Sequence, residues 1–576
     1  MVGLRRTVQI LSFLLFFFLI VTTRQQIVGE FYYVQAESTF HLWPYLYFTT
    51  NPLTYVAAVA ASRTIPAVNY IPLLVMVGLV LLLGRFYCGW LCPLGVMIDA
   101  AAKVWKPPKK PKPSAWVPSP NLKFYILIAI LVLALIPATQ SETALEERWF
   151  GVNVVGFFDP ITIAMRGISF SVQPYLEWLI RVPMGELWDV PVIKYVSEPT
   201  RGFLMKYYSM TQPPEFAHSL VYLGVLLGLF ALSKIRRRFW CRYLCPLGAF
   251  HALLGRFGLW RRRVSSECNE CKMCSLKCRT EAIDAEDFTA YDTRECILCM
   301  DCRKLCPVEA IEFTFFASSK DVRVCPRELQ VTRRGLLSAI GASVLALPAF
   351  RTTPYYRTDR SDMLRPPGRG SSELLRPPGS QAEQEFLARC IRCGECMRVC
   401  PNHALQPALM QFGLETMWTP VLTPRIGPCE FNCTLCTQVC PTGAIEPLTQ
   451  RAKQRFRMGT SYFLKDRCIP WAENTDCMVC EEVCPTPQKA IHFRDEEVLD
   501  DAGQKRIVKR PFIIDVNCIG CGTCENKCPV EGQSAIRVAP RYETRHGYLA
   551  VGGAIPGAGG ADDPYGTGGG DPYSSR

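Results

Sequence analysis

Cysteine is the residue type in this sequence whose spacing points most directly to chemistry. Of the 29 cysteines among 576 residues, 24 fall into six runs of four. Four of the runs share the spacing C-x2-C-x2-C-x3-C: Cys268, Cys271, Cys274, Cys278; Cys296, Cys299, Cys302, Cys306; Cys390, Cys393, Cys396, Cys400; and Cys518, Cys521, Cys524, Cys528. Two runs open with a longer gap: Cys429, Cys433, Cys436, Cys440; and Cys468, Cys477, Cys480, Cys484.

This spacing is typical of [4Fe–4S] ligation, because three thiolates two residues apart let one tight loop wrap a cubane. A structural zinc site uses paired C-x2-C units that complete a tetrahedron, and a third cysteine at the same pitch has no place in it. A disulfide scaffold is typical of short secreted domains without long apolar segments. The six runs therefore predict six [4Fe–4S] clusters, with about 24 irons.

The fourth cysteine of such a run usually reaches the neighbouring cluster in two-cluster proteins. The first two runs lie close together and predict one two-cluster domain. The other four runs form a second group, whose pairing could follow chain order or be nested. The sequence leaves that choice open.

Four further cysteines form a repeated C-x3-C-P element, at Cys88 and Cys92 and again at Cys241 and Cys245. Each element closes an apolar segment, so the four thiols should meet at one membrane face. They could hold another metal centre, form a redox-active pair or shape a quinone pocket. The alternative is that the cysteines pack as small apolar side chains. Cys325 belongs to neither pattern, and we interpret it as an ordinary thiol.

The rest of the chain must position these cysteines, and four apolar segments are candidates for membrane spans. They run from about Val8 to Thr23, Val68 to Tyr87, Leu122 to Ile136 and Phe216 to Ser233, in a chain of mean hydropathy +0.10. Some fall short of the ~20 residues that a bilayer requires, so their flanks must contribute. Basic residues predict that both ends of this unit face the cytoplasm and that the loops Arg24–Ala67 and Ala138–Glu215 lie outside.

A twin arginine, Arg333 and Arg334, precedes an apolar run that ends at Phe350. This arrangement is typical of an export signal for proteins folded around their cofactors. We therefore expect everything after Phe350 to lie in the periplasm. The alternative is a fifth span.

The expected fold is an α-helical membrane bundle of four spans, with a fifth possible, joined to α+β two-cluster domains like those of bacterial ferredoxins. The expected domains are a membrane domain (1–264), a cytoplasmic two-cluster domain (265–317), the signal or span (330–350), a Pro-rich linker (351–381), a four-cluster domain (382–540) and a Gly-rich disordered tail (541–576). The net charge of +13 lies largely beside the apolar segments, which argues against nucleic acid as a partner.

The residues up to about Ala317 resemble the NapH-type membrane ferredoxin of periplasmic nitrate reductase systems, and the membrane part of nitrous-oxide reductase regulators. The resemblance rests on four spans, two C-x3-C-P elements and two cluster runs. From Thr332 to about Pro540, the twin arginine, Leu-Arg-Pro-Pro-Gly, Cys390-Ile-Arg-Cys-Gly and Cys528-Pro-Val-Glu-Gly resemble the exported NapG or MauN type. The sequence looks like a fusion of both. The first run departs from the pattern, with Arg279 where proline follows the other runs.

The resemblance implies a quinol dehydrogenase component of the bacterial inner membrane that passes electrons to a periplasmic reductase or cytochrome. Quinol would be its diffusible substrate. From its position near the outer end of the fourth apolar segment, His218 could serve a quinol site, but a lone histidine there is more often an ordinary interfacial residue. The alternative function is an accessory reductant for the maturation or maintenance of a metalloenzyme, including copper reduction during assembly. Whether the chain is an enzyme or only a carrier is left open, and the residues imply no hydrolase or transferase chemistry.

Overall fold

The fold is known from a computed structural model of the chain. It describes residues 2–31, 45–66, 70–106, 118–137, 139–140, 149–176, 178–179, 216, 218–284, 286–315, 331–350, 374–499 and 505–546. Cys325 lies outside these ranges, as do most of the predicted linker and tail.

The amino-terminal part is a helical bundle built from apolar sequences. Its helices are α1 (Val2–Phe31), α2 (Tyr45–Thr49), α3 (Pro52–Ser62), α4 (Ile71–Leu83), α5 (Phe86–Trp90), α6 (Pro93–Val104), α7 (Leu122–Leu135), α8 (Val155–Phe158), α9 (Pro160–Arg166), α10 (Ser219–Ala231) and α11 (Pro246–Gly255). Two π-helical turns, Gly167–Val172 and Trp240–Leu244, extend α9 and precede α11. A two-residue ladder joins β1 (Thr139–Gln140) to β2 (Trp149–Phe150).

One helix among the described residues is long and apolar enough to cross a membrane by itself, over Val2–Ile20. The helices at the other three predicted spans are shorter, with 13 or 14 residues. A 13-residue helix is about 20 Å long, less than the ~30 Å hydrocarbon layer of a bilayer. The described helices therefore do not by themselves establish four spans.

The two-run domain, which we define as residues 260–315, carries the first two cysteine runs. Strands β3 (Trp260–Val264) and β4 (Ile311–Phe315) pair antiparallel around the short helices α12 (Met273–Leu276) and α13 (Asp301–Leu305). Trp260 stacks on Phe315 at the end of the ladder, with ring centroids 5.7 Å apart. The domain therefore begins about five residues before the predicted boundary at 265.

Helix α14 (Arg333–Phe350) contains the twin arginine and connects the two cluster-bearing parts of the chain. It packs along α7, and Gly335 lies so close to Tyr125 that an added Cβ would stand 2.4 Å from the Tyr125 hydroxyl. Leu347 and Phe350 pack against the main bundle core. The segment thus packs as a helix of the bundle.

The four-run domain, defined as residues 374–546, holds the other four runs on short elements. Its helices are α15 (Glu383–Arg389), α16 (Glu395–Arg398), α17 (Leu435–Gln438), α18 (Gln450–Arg455), α19 (Ile469–Ala472), α20 (Val479–Glu482) and α21 (Thr523–Lys527). Three antiparallel pairs join β5 (Leu405–Pro407) to β6 (Pro420–Leu422), β7 (Thr460–Phe463) to β10 (Ile536–Ala539), and β8 (Ile491–Leu499) to β9 (Lys505–Ile513).

Both predicted boundaries of this domain need correction. The second Leu-Arg-Pro-Pro-Gly copy was assigned to a linker, yet Leu375 and Arg376 are buried at the domain's edge. Arg545 was assigned to the tail, yet it is buried and pairs with Glu383 at 2.6 Å. Charged and proline-rich sequence predicted exposure at both ends, whereas a shared ion-pair network buries them.

The two cluster domains contact α1 at two separate points along its length. Arg5 pairs with Asp301 of the two-run domain at 3.3 Å, and Arg398 of the four-run domain donates to the Ile20 carbonyl at 2.5 Å. Fifteen helical residues separate Arg5 from Ile20, which is about 22 Å. The helical bundle therefore lies between the two domains.

Candidate functional site: seven groups of four cysteines

In the two-run domain each run supplies three cysteines to one site and one to the other. Cys278 lies close enough to Cys296, Cys299 and Cys302 to interact electrostatically with them. Cys306 is therefore left for the loop of the first run, whose Cys274 lies in the same small core. We name the two groups site 1 (Cys268, Cys271, Cys274, Cys306) and site 2 (Cys296, Cys299, Cys302, Cys278).

The four-run domain repeats this exchange twice, with runs paired in chain order. Cys440 interacts with Cys390, Cys393 and Cys396, while Cys400 interacts with Cys429, Cys433 and Cys436. Two cavities are lined by the remaining cysteines. The groups are site 3 (Cys390, Cys393, Cys396, Cys440), site 4 (Cys429, Cys433, Cys436, Cys400), site 5 (Cys518, Cys521, Cys524, Cys484) and site 6 (Cys468, Cys477, Cys480, Cys528).

The sites follow one another in space. Cys396 of site 3 interacts with Cys436 of site 4. The Cys429 backbone N–H donates to the Cys521 carbonyl at 2.9 Å, which joins site 4 to site 5. Cys524 of site 5 interacts with Cys480 of site 6. The order 3–4–5–6 therefore differs from the order of the runs in the chain, where site 6 begins before site 5.

Local backbone geometry explains how short loops present these thiols. Gly394, Gly520 and Gly522 have φ values of +88°, +71° and +76°, a region that glycine enters without steric cost. Backbone N–H groups then approach sulfur: Ala282 donates to Cys278 Sγ at 3.3 Å and Ala535 to Cys528 Sγ at 3.4 Å. Such hydrogen bonds tune the potential of a thiolate-held cluster.

The residues present fit iron–sulfur clusters. The cavities at sites 5 and 6 are lined almost entirely by cysteine and apolar side chains. Within the described part of the chain, no three His, Cys, Asp or Glu side chains are arranged to hold a single metal ion. A [4Fe–4S] cluster would take its ligands from four such thiols.

Burial raises the pKa of two of these thiols, Cys433 and Cys480, to about 12. A thiolate at these positions needs a positive partner, which iron supplies when it binds. Cluster binding at these sites should therefore release protons.

The C-x3-C-P cysteines converge as the repeat predicts. Cys88, Cys92, Cys241 and Cys245, here named the central thiol site, line a single cavity inside the bundle. Arg85, Tyr87, Gly95 and Pro160 also line it. The Gly248 N–H donates to Cys245 Sγ at 3.2 Å, as at the cluster sites.

An aromatic cluster lies where the bundle meets site 3, and the sequence did not indicate it. Phe170 packs on Phe216 and Tyr222, with centroids 4.4 and 5.2 Å away, and its ring contacts Gly394. Arg166 lies 4.2 Å from the Trp418 ring. By contrast, His218, which the sequence offered as one candidate for a quinol site, is exposed at the start of α10.

Comparison with known proteins agrees with the cysteine pattern. A model of a 4Fe-4S dicluster domain matches residues 389–444 and 475–532, the two pairs of runs in the four-run domain. A model of a 4Fe-4S binding domain matches residues 65–113 and 219–265, which contain the two C-x3-C-P elements. No solved structure matches the chain.

The chain belongs to the family of ferredoxin-type iron–sulfur proteins that includes MauM and NapG. It is 36% identical over 222 residues to the methylamine utilization ferredoxin-type protein MauM of Methylorubrum extorquens, which covers 36% of this chain and 90% of MauM. The MauM of Paracoccus denitrificans is 35% identical over 37% of the chain and 89% of its own length. The ferredoxin-type protein NapG of Escherichia coli is 34% identical over 31% of the chain and 70% of its own length.

Proposed function

We propose that this chain is a membrane-bound electron-transfer protein that oxidises quinol and passes electrons through [4Fe–4S] clusters to a periplasmic reductase. The observation that carries the proposal is the presence of cysteine sites at both ends of an apolar helical bundle, four of them in one continuous series in the four-run domain. When bound, the clusters supply one-electron redox chemistry. The series lets a two-electron donor be oxidised in single-electron steps.

The exposed faces of the helices support a membrane location. Ile71 and Leu74 of α4 are 68% and 67% exposed, and Leu345 of α14 is 82% exposed. Soluble proteins rarely expose apolar patches larger than a few hundred Å². The short helices would span the bilayer together with their flanks, which makes the amino-terminal part a NapH-like membrane unit fused to a NapG-like unit.

Topology follows from the same arrangement. The basic stretches that predict the cytoplasmic face adjoin the two-run domain, where Arg236 pairs with Glu281 at 2.8 Å and Arg279 with Asp99 at 2.7 Å. The four-run domain would then lie in the periplasm, with α14 carrying the chain across. Sites 3 to 6 would face the periplasmic partner.

We propose that quinol binds at the aromatic cluster beside site 3. The Tyr222 hydroxyl is buried and has no hydrogen-bond partner among the described residues, and the same holds for Trp418 Nε1. Both lie near Arg166, which donates to the Arg392 carbonyl of the site 3 loop at 2.7 Å. A quinol hydroxyl there could satisfy these groups, lose two electrons in turn to site 3 and release two protons to water.

The test uses the purified full chain in detergent, prepared without oxygen. A menaquinol analogue should reduce the clusters, which is followed by their visible absorbance and by EPR. Tyr222→Phe should slow this reduction about tenfold, since it removes one hydrogen bond to the substrate.

The control for Tyr222→Phe is Tyr175→Phe, which alters a half-exposed hydroxyl near the same end of α10. It should leave the rate unchanged, and dithionite should reduce all three proteins alike. Wild-type protein whose clusters stay oxidised with quinol but respond to dithionite would refute quinol oxidation.

A further inference from the structure

The two C-x3-C-P elements form one site with internal two-fold symmetry. Arg85 stands three residues before Cys88, and Arg238 stands three residues before Cys241. Each arginine reaches across to the other element: Arg85 donates to the Cys241 carbonyl at 3.0 Å, and Arg238 donates to the Cys88 carbonyl at 2.9 Å. The repeated sequence is thus folded to bring two pairs of thiols together.

A glycine of each element lies close to the other element's arginine. An added Cβ at Gly248 would lie 2.5 Å from Arg85 Nη2, and one at Gly95 would lie 3.2 Å from the Cys88 carbonyl oxygen and at ordinary contact distance, 3.7 Å, from Arg238 Nη2. Each glycine is three residues after the second cysteine of its element, so the site repeats in its glycines as well as its thiols. Two cysteines that merely packed in a core would not need a matched arginine and glycine on each side.

The cavity is lined by four cysteines and apolar side chains, as sites 5 and 6 are, and it differs from them in the presence of Arg85 and Tyr87. The Gly248 N–H bond to Cys245 Sγ is of the kind found at Cys278 and Cys528. Arg85 and Arg238 lie buried next to the four thiols, and each also pairs with a carboxylate, Arg85 with Glu295 at 3.3 Å and Arg238 with Asp99 at 2.7 Å.

The central thiol site lies between site 2 and site 3. On one side, Trp90 Nε1 donates to the Leu298 carbonyl at 3.0 Å, and an added Cβ at Gly89 would lie 2.1 Å from the Ile297 carbonyl, both in the site 2 loop. On the other side, Pro160 lines the cavity. Gly156, four residues before Pro160, packs against the site 3 loop, where an added Cβ would lie 2.1 Å from the Ile391 carbonyl oxygen.

We propose that the four thiols bind a seventh iron–sulfur cluster, ligated by two cysteines from each repeat, that connects site 2 to site 3 through the bundle. It accepts one electron from the cluster on one side and gives one electron to the cluster on the other, so no further reactant is needed. The proposal rests on the iron–sulfur character of the chain and not on quinol oxidation. It gives the C-x3-C-P repeat a redox function and joins the two cluster domains into one series.

The experiment measures iron and acid-labile sulfide per full chain, in protein purified without oxygen, together with EPR during a redox titration. Wild-type protein should hold about 28 irons if the seventh cluster is a cubane like the other six. The double variant Cys92→Ala/Cys245→Ala should lose about four irons and one redox component. Cys325→Ser, which changes the cysteine outside all motifs, should lose none.

A second readout measures electron passage between the domains. In vesicles that carry the chain, dithionite added to the side of the two-run domain should reduce the four-run clusters in wild type but at most a tenth as fast in the double variant. Retention of the other six clusters in the variant, seen by EPR, separates this loss from misfolding.

Two results would overturn the inference: equal iron content in wild type and the double variant, or equal rates of passage. Zinc at the central site would overturn it as well. These failures are distinct from failure of the proposed function, which would appear as missing response to quinol with all clusters present.

Discussion

At the scale of single residues, Glu383 is a buried carboxylate that binds two arginines of the four-run domain. Its carboxylate is fully buried and accepts from Arg376 at 2.6 and 3.0 Å and from Arg545 at 2.6 Å. Arg376 stands at the start of the domain and Arg545 at its end. This one side chain therefore closes the domain by joining its two termini.

Glu383→Gln should destabilise the four-run domain by about 3–5 kcal/mol, because Arg376 would remain buried without a counter-charge, whereas Arg545 would keep Glu543. Urea-induced loss of cluster absorbance would measure the change. The matched control is Glu497→Gln, whose partner Lys505 and own side chain are largely exposed, and it should shift stability by less than about 1 kcal/mol. Equal effects of the two variants would show that the buried network is not what holds the termini.

The same carboxylate should make the stability of the four-run domain depend on pH. Burial alone would raise the pKa of Glu383, but Arg376 and Arg545 lower it to about 2 from the ordinary 4.5. A depressed pKa stabilises the fold above about pH 4.5, and this contribution is lost as the pH falls from there towards 2. The stability difference between wild type and Glu383→Gln should be constant near neutral pH and shrink below about pH 4.5, as measured by urea titrations at several pH values.

At the scale of elements, the four-run domain docks on the bundle through the site 3 loop. Gly394 has a φ of +88°, and an added Cβ would lie 2.6 Å from Phe170 Cζ. Gly394→Ala should loosen this contact and slow reduction of the clusters by quinol. Gly532→Ala is the control, because Gly532 has a similar φ of +70° but no atom within 4 Å of the added Cβ. Hydrogen exchange in residues 167–172 would rise only in the first variant; equal protection in both would refute the docking role.

The elements also show which features a sequence can and cannot predict. Cysteine runs predict cluster sites well, because three ligands come from one short loop. The pairing of Cys440 with the loop of Cys390 was left open, since it depends on how separate loops pack. Tyr222 was missed for a related reason: it looks like any aromatic residue in an apolar helix until the fold brings Arg166 and Trp418 beside it.

At the scale of the molecule, the sites form a single series: site 1, site 2, the central thiols, then sites 3, 4, 5 and 6. Site 3 lies against the bundle and site 6 lies furthest from it along the series of contacts. At site 6, Met478 is 37% exposed beside Cys477. If quinol donates its electrons to site 3, a periplasmic acceptor should receive them from site 6.

This order predicts different consequences for the loss of a cluster at each end of the four-run domain. Cys393→Ala, at site 3, should prevent quinol from reducing sites 4, 5 and 6, because the first acceptor is gone. Cys477→Ala, at site 6, should leave quinol reduction of sites 3, 4 and 5 intact while transfer to an external acceptor falls. Freeze-quench EPR after mixing with a quinol analogue would separate the two variants, and dithionite reduction would confirm that the remaining clusters are present in each. The linear order would be wrong if the site 3 variant still passed electrons from quinol to site 6 at the wild-type rate, since the donor would then have a second point of entry that bypasses the bundle face.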